Sequence, residues 1–212
     1  MKINSNTIII GKKVILVPYK KKHVEKYWKW MQSEEIREQT ASEELTIEEE
    51  FENQESWFKD DHKITFIILD KDLLLENEKD SNGYSNENDI KSMIGDVNIF
   101  FNQYEDEGTA ELEVMIAEPT SRRKGLAREA ISIIMGYGIE HLSTITKKYI
   151  VKIGESNQPS IQMFKSMNFK QIGSVNVFKE ILLEFENGEN NINLLNLKNN
   201  DNYKSLIFKN WE

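Results

Sequence analysis

The sequence predicts an α/β (α+β) domain: a mixed central sheet of about seven strands with flanking helices. Three observations lead there. Short β-branched or alternating runs recur along the chain, each closed by turn residues. Longer segments between them repeat apolar residues at helical spacing. Near residues 111–153 the order strand, helix, strand makes a right-handed crossover with parallel strands, whereas the preceding strands are joined by a turn and run antiparallel.

In chain order, Val14-Ile15-Leu16-Val17 is a β-branched run ended by Pro18, and Val24, Tyr27, Trp30 and Met31 then recur near helical spacing. Thr46-Ile47-Glu48-Glu49 has the form of a capping box ahead of Phe51, Gln54 and Phe58, which places a helix over about 46–60. Thr65 to Leu69 reads as a strand buried on both faces. Residues 71–92 are rich in Asp, Glu, Asn and Ser with only Leu73-Leu74-Leu75 apolar, and read as a polar insert forming a loop. Met93 to Phe101 is the next strand, and an Asp106-Glu107-Gly108 turn leads to another at Glu111 to Ala117.

Pro119 and Thr120 end that strand. From Lys124 to about His141, Leu126, Ala130, Ile133, Ile134 and Tyr137 mark one apolar helix face, weakened at Gly136 and Gly138. A strand at Tyr149 to Ile153 follows, and Asn157 and Pro159 open a helix carrying Ile161, Phe164 and Met167. Phe169 to Val175 and Phe178 to Phe185 are the last β-runs. Residues 186–212 form an Asn-rich tail with apolar residues such as Leu206, Ile207 and Phe208, either docked or disordered.

A chain of 212 residues with 39% hydrophobic content suits one core, so residues 1–185 are expected to form one domain. No apolar run approaches a membrane span, and Met1-Lys2-Ile3-Asn4 lacks the core of a signal peptide, so a soluble, cytoplasmic protein is expected, the nucleus remaining open. The cysteine count of 0 excludes disulfides, thiolate metal sites and an acyl-cysteine of this chain. The formal charge of -9 argues against a nucleic-acid partner and favours cationic ones. His23, His62 and His141 stand apart without ligand spacing, so no metal is expected, and solvated or helix-surface roles are.

Arg122-Arg123-Lys124-Gly125-Leu126-Ala127 lies between a strand and a helix, where backbone N–H groups lack intrahelical partners. The helix end carries roughly half a positive charge, Gly125 removes a blocking side chain, and the three basic residues add charge. A pyrophosphate suits this arrangement; a capped helix with a basic first turn explains the same residues without a ligand. Glu111 and Glu113, two apart, put both carboxylates on one strand face as candidate general bases or as ordinary exposed residues.

With Asn157-x-x-Ser160-x-x-x-Phe164-x-x-x-x-Phe169 downstream, the loop resembles the acetyl-CoA signature of the GCN5-related N-acetyltransferases (GNAT), a Q/R-x-x-G-x-G/A loop after the fourth strand. Ala127 takes the final small position, and Asn168 stands where that family usually has glycine, loosening the turn. Gly11 to Tyr19, Thr40-Ala41-Ser42-Glu43, Gly95-Asp96-Val97-Asn98 and Glu113 to Pro119 resemble the eukaryotic N-acetyltransferase 9-like group, over about residues 1–185.

The resemblance implies the GNAT fold, in which strands 111–117 and 149–153 splay apart. It also implies acetyl-CoA as donor, with its pantetheine amides pairing with Met115, Ile116 or Ala117, its pyrophosphate on Arg122, Arg123, Lys124, Gly125, Leu126 and Ala127, and Asn157, Ser160 and Phe164 in the second cofactor segment. Asn157 serves a helix cap equally well. Glu111 holds the base's place in histone-type members, and Glu113 belongs to the N-acetyltransferase 9-like run. Phe164 occupies the place of the usual acid tyrosine, so no general acid is assigned. Trp28, Trp30 and Trp57 line the acceptor groove or pack in the core.

The reaction implied is direct attack by a neutral amine in a ternary complex, with a backbone N–H near Met115 or Ile116 polarising the oxygen. Deprotonating a lysine of pKa near 10.4 costs roughly 4.6 kcal/mol at pH 7, against about 1 kcal/mol for a terminal amine near 7.8. A protein or peptide amine is therefore the expected acceptor. The alternatives are a polyamine-type small amine, or a catalytically lapsed acetyl-CoA-binding interaction module.

Overall fold

The computed structural model describes residues 4–78, 86–101, 108–142, 146–188 and 206–208. The strands are β1 (Thr7–Ile10), β2 (Val14–Pro18), β3 (Lys63–Asp70), β4 (Met93–Phe101), β5 (Thr109–Ile116), β6 (Lys148–Gly154), β7 (Lys170–Ile172), β8 (Glu180–Glu186) and β9 (Leu206–Phe208). The helices are α1 (Val24–Met31), α2 (Glu34–Thr40), α3 (Ile47–Lys59), α4 (Lys71–Glu78), α5 (Asn86–Ser92), α6 (Leu126–Leu142) and α7 (Gln158–Ser166). The strands form one sheet in the order β7-β8-β6-β5-β4-β3-β2-β1-β9, antiparallel throughout except for the parallel pair β5 and β6. The mixed α/β architecture agrees with the sequence. β1 and β9 are additions to the expected strands, β1 being a four-residue β-branched run, Thr7 to Ile10, easily passed over beside Gly11.

The two sheet faces hold separate apolar clusters. Under α6 and α7 lie Val14, Leu16, Phe66, Ile68, Val97, Ile99, Leu112 and Val151, with Ile134 and Phe164 from the helices. Under α1 to α3 lie Ile15, Val17, Ile67, Leu69 and Met115, with Tyr27, Trp30 and Met31. β3 is buried along its whole length because both faces are covered. Gly138 in α6 serves close packing: a Cβ there would stand 2.3 Å from the Tyr149 hydroxyl.

The capping box at α3 is present, with Thr46 Oγ1 accepting from the Glu49 N–H at 3.3 Å and Glu49 Oε2 accepting from the Thr46 N–H at 2.8 Å. Residues 71–78 and 86–92 do not form the expected loop. They contain α4 and α5, and tertiary contacts supply what local periodicity lacks. Asp70 Oδ1 accepts from the Asp72 N–H at 3.0 Å at the head of α4, Leu74 is buried in the core, and Asp89 of α5 is buried in an ion pair with Lys22 at 2.9 Å. Residues 79–85 lie outside the described residues, as do 102–107, which hold most of the expected Asp106-Glu107-Gly108 turn. In the tail, Leu206–Phe208 pairs antiparallel with β1, and 189–205 and 209–212 lie outside the described residues.

His23 is also corrected. It is 1% exposed, its Nδ1 accepts from the Lys20 N–H at 3.1 Å, and burial pushes its pKa down to about 3. His62 is exposed, as expected, and the side chain of His141 lies outside the described residues. No helix among the described residues is long and apolar enough to cross a membrane.

Candidate active site

β5 and β6 pair only at their starts, Thr109 with Lys148, Ala110 with Tyr149 and Glu111 with Ile150. Beyond that point β5 stays on β4 and β6 stays on β8, so the two strands part. Strand pairing on the far side of each shows where their backbone groups point. Ala117 N–H donates to Ile94 O at 2.8 Å, and Met115 O lies 1.8 Å from where a Cβ on Gly95 would stand, so both residues turn their backbone toward β4. Alternation then directs the N–H and C=O of Val114 and Ile116 into the opening. Of the expected Met115, Ile116 and Ala117, only Ile116 therefore presents its backbone to the gap, and Val114, unforeseen, joins it.

A cleft of about 740 Å³ leads from this opening. It is walled by Val114 and Ile116, by Ile36 and Thr40 of α2, and by Pro159 and Met163 of α7, and it ends on Ser121, Arg122, Arg123, Gly125, Leu126 and Ala127. The loop before α6 reaches its shape through two left-handed residues, Arg123 at φ 65° and Gly125 at φ 80°. The first intrahelical bond runs from the Glu129 N–H to Gly125 O at 3.1 Å, so the N–H groups of Leu126, Ala127 and Arg128 precede the helical ladder.

The basic residues divide their work. Arg122 Nε donates to Ile116 O at 3.0 Å and its Nη1 pairs with Glu35 of α2 at 3.1 Å, while Arg123 and Lys124 are exposed. Two cations that the sequence did not single out complete the loop. Lys13 Nζ donates to Lys124 O at 3.1 Å, and Arg128 donates to Ser166 Oγ and Ser166 O, tying the head of α6 to the end of α7. Ser121 lines the same end of the cleft at 2% exposure, and among the described residues its hydroxyl has no hydrogen-bond partner. A buried orphan hydroxyl beside helix N–H groups and cations is a fit for a phosphate-bearing ligand.

On α7, Asn157 acts as the cap, its Oδ1 accepting from the Ser160 N–H at 3.3 Å, and both residues line the cleft. Phe164 does not line it. It is 3% exposed and packs edge-on against Phe169 with ring centroids 5.1 Å apart, so it is a core residue whose neighbours Met163 and Ser166 face the cleft. Asn168 keeps the glycine-like turn, with φ 68° and the Phe169 N–H donating to Phe164 O at 3.1 Å. Asparagine tolerates that conformation better than other residues with a Cβ.

On the face under α1 and α3, pairing sets Lys63, Phe100 and Glu111 in one row and Thr65, Asn98 and Glu113 in the next. Glu111 is 6% exposed and pairs with Lys152 at 3.1 Å. Glu113 stands beyond the last β5–β6 pair and is exposed, beside Met115, which lines the cleft. Water reaches Glu113, yet the mass of protein around it pushes its carboxyl up to about 7; Lys63 opposes this rise, and Glu111 and Asp96 add to it. Buried Asp96 is pushed up to about 6 by desolvation, against the Asn98 Nδ2 bond at 2.7 Å. Trp30 is buried with its Nε1 on Glu118 at 2.9 Å; Trp28 is half-buried with its Nε1 on Leu45 O at 2.9 Å; Trp57 is half-buried over Lys63. Among the described residues no group of three His, Asp or Glu is placed to hold a metal.

Residues 13–170 match the acetyltransferase (GNAT) domain family. An N-acetyltransferase 9-like protein of Nematostella vectensis is 47% identical over 186 residues, covering 88% of this chain and 89% of that protein. The alpha/beta-tubulin-N-acetyltransferase 9 of Homo sapiens is 45% identical over 184 residues, covering 86% and 84%. A spermidine N-acetyltransferase from Vibrio cholerae, solved with CoA and spermine, shares the fold at TM-score 0.63 and 16% identity, covering 81% of this chain and 93% of that one.

Proposed function

Because the chain belongs to the GNAT acetyltransferase family and is an N-acetyltransferase, we propose that its cleft seats acetyl-CoA with the pantetheine arm between β5 and β6, for direct transfer to a protein or peptide amine. The parting of β5 from β6 after Glu111, into a cleft that ends on the first turn of α6, carries this reading. Val114 would pair with the arm's amides like a partial extra strand. Leu126, Ala127 and Arg128 N–H groups, the Ser121 hydroxyl and the Lys13 and Arg123 cations would hold the phosphates. Bound there, acetyl-CoA supplies an acetyl thioester.

The chain's own part is to accept a proton and steady an oxygen. Glu113 is the better placed base, since Glu111 is buried and engaged by Lys152 whereas Glu113 is reached by solvent past the split. The Ile116 N–H, turned into the gap, is the donor for the oxygen. The hairpin between β7 and β8 favours a macromolecular acceptor. It carries Val177 at 90% and Phe178 at 78% exposure, and the Glu155 N–H bond to Lys179 O at 2.8 Å places it at the end of the sheet where the strands part. A small polycation has little use for that apolar surface, and the names of the tubulin-directed relatives make α/β-tubulin the first protein to try. The cytoplasm is the proposed setting.

The test is acetyl transfer from labelled acetyl-CoA to a panel of α/β-tubulin, peptides with a free α-amine, peptides with only lysine amines, and spermidine. Label on tubulin or on α-amine peptides is expected. Label on spermidine alone would select the small-amine reading, and binding without transfer to any acceptor would select a lapsed module.

A further inference from the structure

We propose that Lys63 is a positioning residue for acetyl transfer: its buried ammonium holds the Glu113 carboxylate ionised and open to the acceptor's proton, an assignment that rests on Glu113 being the base. Lys63 and Glu113 sit on adjacent rows of one sheet face, separated by Phe100 and Asn98 of β4. Lys63 is 4% exposed, a costly place for an ammonium without compensation. Its Nζ lies 2.8 Å from the ring centroid of Trp57 and 4.5 Å from that of Phe100, so aromatic faces hold it. A cation held by rings exerts its field without occupying a carboxylate oxygen.

The neighbouring acids are otherwise engaged. Asp96 accepts from Asn98 Nδ2 at 2.7 Å, and Asn98 Oδ1 in turn accepts from the Thr65 hydroxyl at 2.6 Å. Glu50 of α3 accepts from the Tyr19 hydroxyl at 3.3 Å and from Asn53 at 3.4 Å, and Glu111 is paired with Lys152 of β6. Tyr27 of α1 and Asp60 at the end of α3 complete the titratable groups around the pair. Among the described residues no hydrogen bond reaches the Glu113 carboxylate, and the residue is exposed.

The balance of charges gives the direction of the effect. The protein packed around Glu113 pushes it up to about 7, with Glu111 and Asp96 adding to the rise; Lys63 first and Lys152 after it work downward. Burial likewise pushes Lys63 down to about 7, with Glu113, Asp96, Asp60 and Glu50 holding it charged. Without the Lys63 charge, Glu113 holds its proton to higher pH and is less available as a base at neutral pH.

The experiment follows the Glu113 carboxyl by carbon NMR on glutamate-labelled protein without cofactor, the signal identified by its absence in Glu113→Gln. The midpoint is expected near 7. In Lys63→Met or Lys63→Gln it should rise by about one pH unit, and Lys63→Arg should return it toward the wild-type value. The acid limb of kcat should move with it while KM for acetyl-CoA stays put. Two neutral variants are used so that one folded protein suffices. An unmoved midpoint in a folded neutral variant overturns the inference, as does a rate lowered evenly across pH. A wild-type protein that transfers no acetyl group overturns the functional reading instead, and the cofactor-free titration tells the two failures apart.

Discussion

Arg122 Nε donates to the carbonyl of Ile116 at 3.0 Å, joining the loop that precedes α6 to the strand edge at the gap. The residue that reads from sequence as a phosphate ligand also braces two parts of the cleft. Arg122→Met removes both this bond and the Glu35 contact. Acetyl-CoA affinity by calorimetry should fall about tenfold, the equivalent of about 1.4 kcal/mol, with the fold kept. An unchanged Kd would show that the brace is dispensable.

Gly125 sits at φ 80°, with the Lys13 Nζ 3.6 Å from a Cβ as the near neighbour. Gly125→Ala therefore meets backbone strain of about 1–2 kcal/mol rather than a clash, and should bind acetyl-CoA modestly less well. Gly125→Glu adds a negative charge where phosphate is expected and should abolish measurable binding. Native affinity in that variant would refute the assigned phosphate site.

Glu113→Gln should reduce kcat by about 10²-fold or more, with the Kd for acetyl-CoA intact. Glu111→Gln should instead lower the melting temperature, because it removes the charge from the ion pair with Lys152, and should cost less in turnover. The opposite ranking of turnover would return the base assignment to Glu111. With Glu113 pushed up to about 7, its basic form accumulates as pH rises through that value, so kcat should climb from pH 6 to 8.

His23 titrates near 3 when folded and near 6.5 when free, so between those values the unfolded chain binds the extra proton. Stability must then fall as pH drops through that window, by up to about 1.4 kcal/mol per unit. His23→Asn keeps an acceptor for the Lys20 N–H and does not titrate. Urea unfolding of the two proteins at pH 6.5 and 5 should show the steeper loss in wild type; equal slopes would mean His23 is not the group responsible.

Asn168 at φ 68° makes a further comparison possible. Asn168→Gly should leave stability equal or slightly raised, and Asn168→Ala should lower it by about 1 kcal/mol. A stabilising alanine would contradict the left-handed turn.

The architecture was legible because hydrophobic period and caps are local signals: the Thr46 capping box, the run Met93 to Phe101 and the crossover through α6 all occur where the residues predict. The failures were tertiary. α4 and α5 depend on Leu74 and Asp89 finding partners far away in sequence, and His23 is buried by its neighbours rather than by its own segment. At the site, residue types located the loop and strand, but not which residues turn inward. Whether Met115 or Ile116 offers its backbone to the gap depends on strand pairing with Ile94 and Gly95, which no single stretch records. Lys13 and Arg128 arrive from outside the motif and carried no local mark.

The sheet is two panels stitched over three residues of each strand, with β6, β7 and β8 on one side and the remainder on the other. A ligand lying along the open part of that seam would be a structural member as well as a reactant, bridging panels that otherwise meet at a short stitch. Loading the cleft should then slow amide exchange across β8 and α7 together, residues remote from any reacting atom, and stiffen the molecule as one piece.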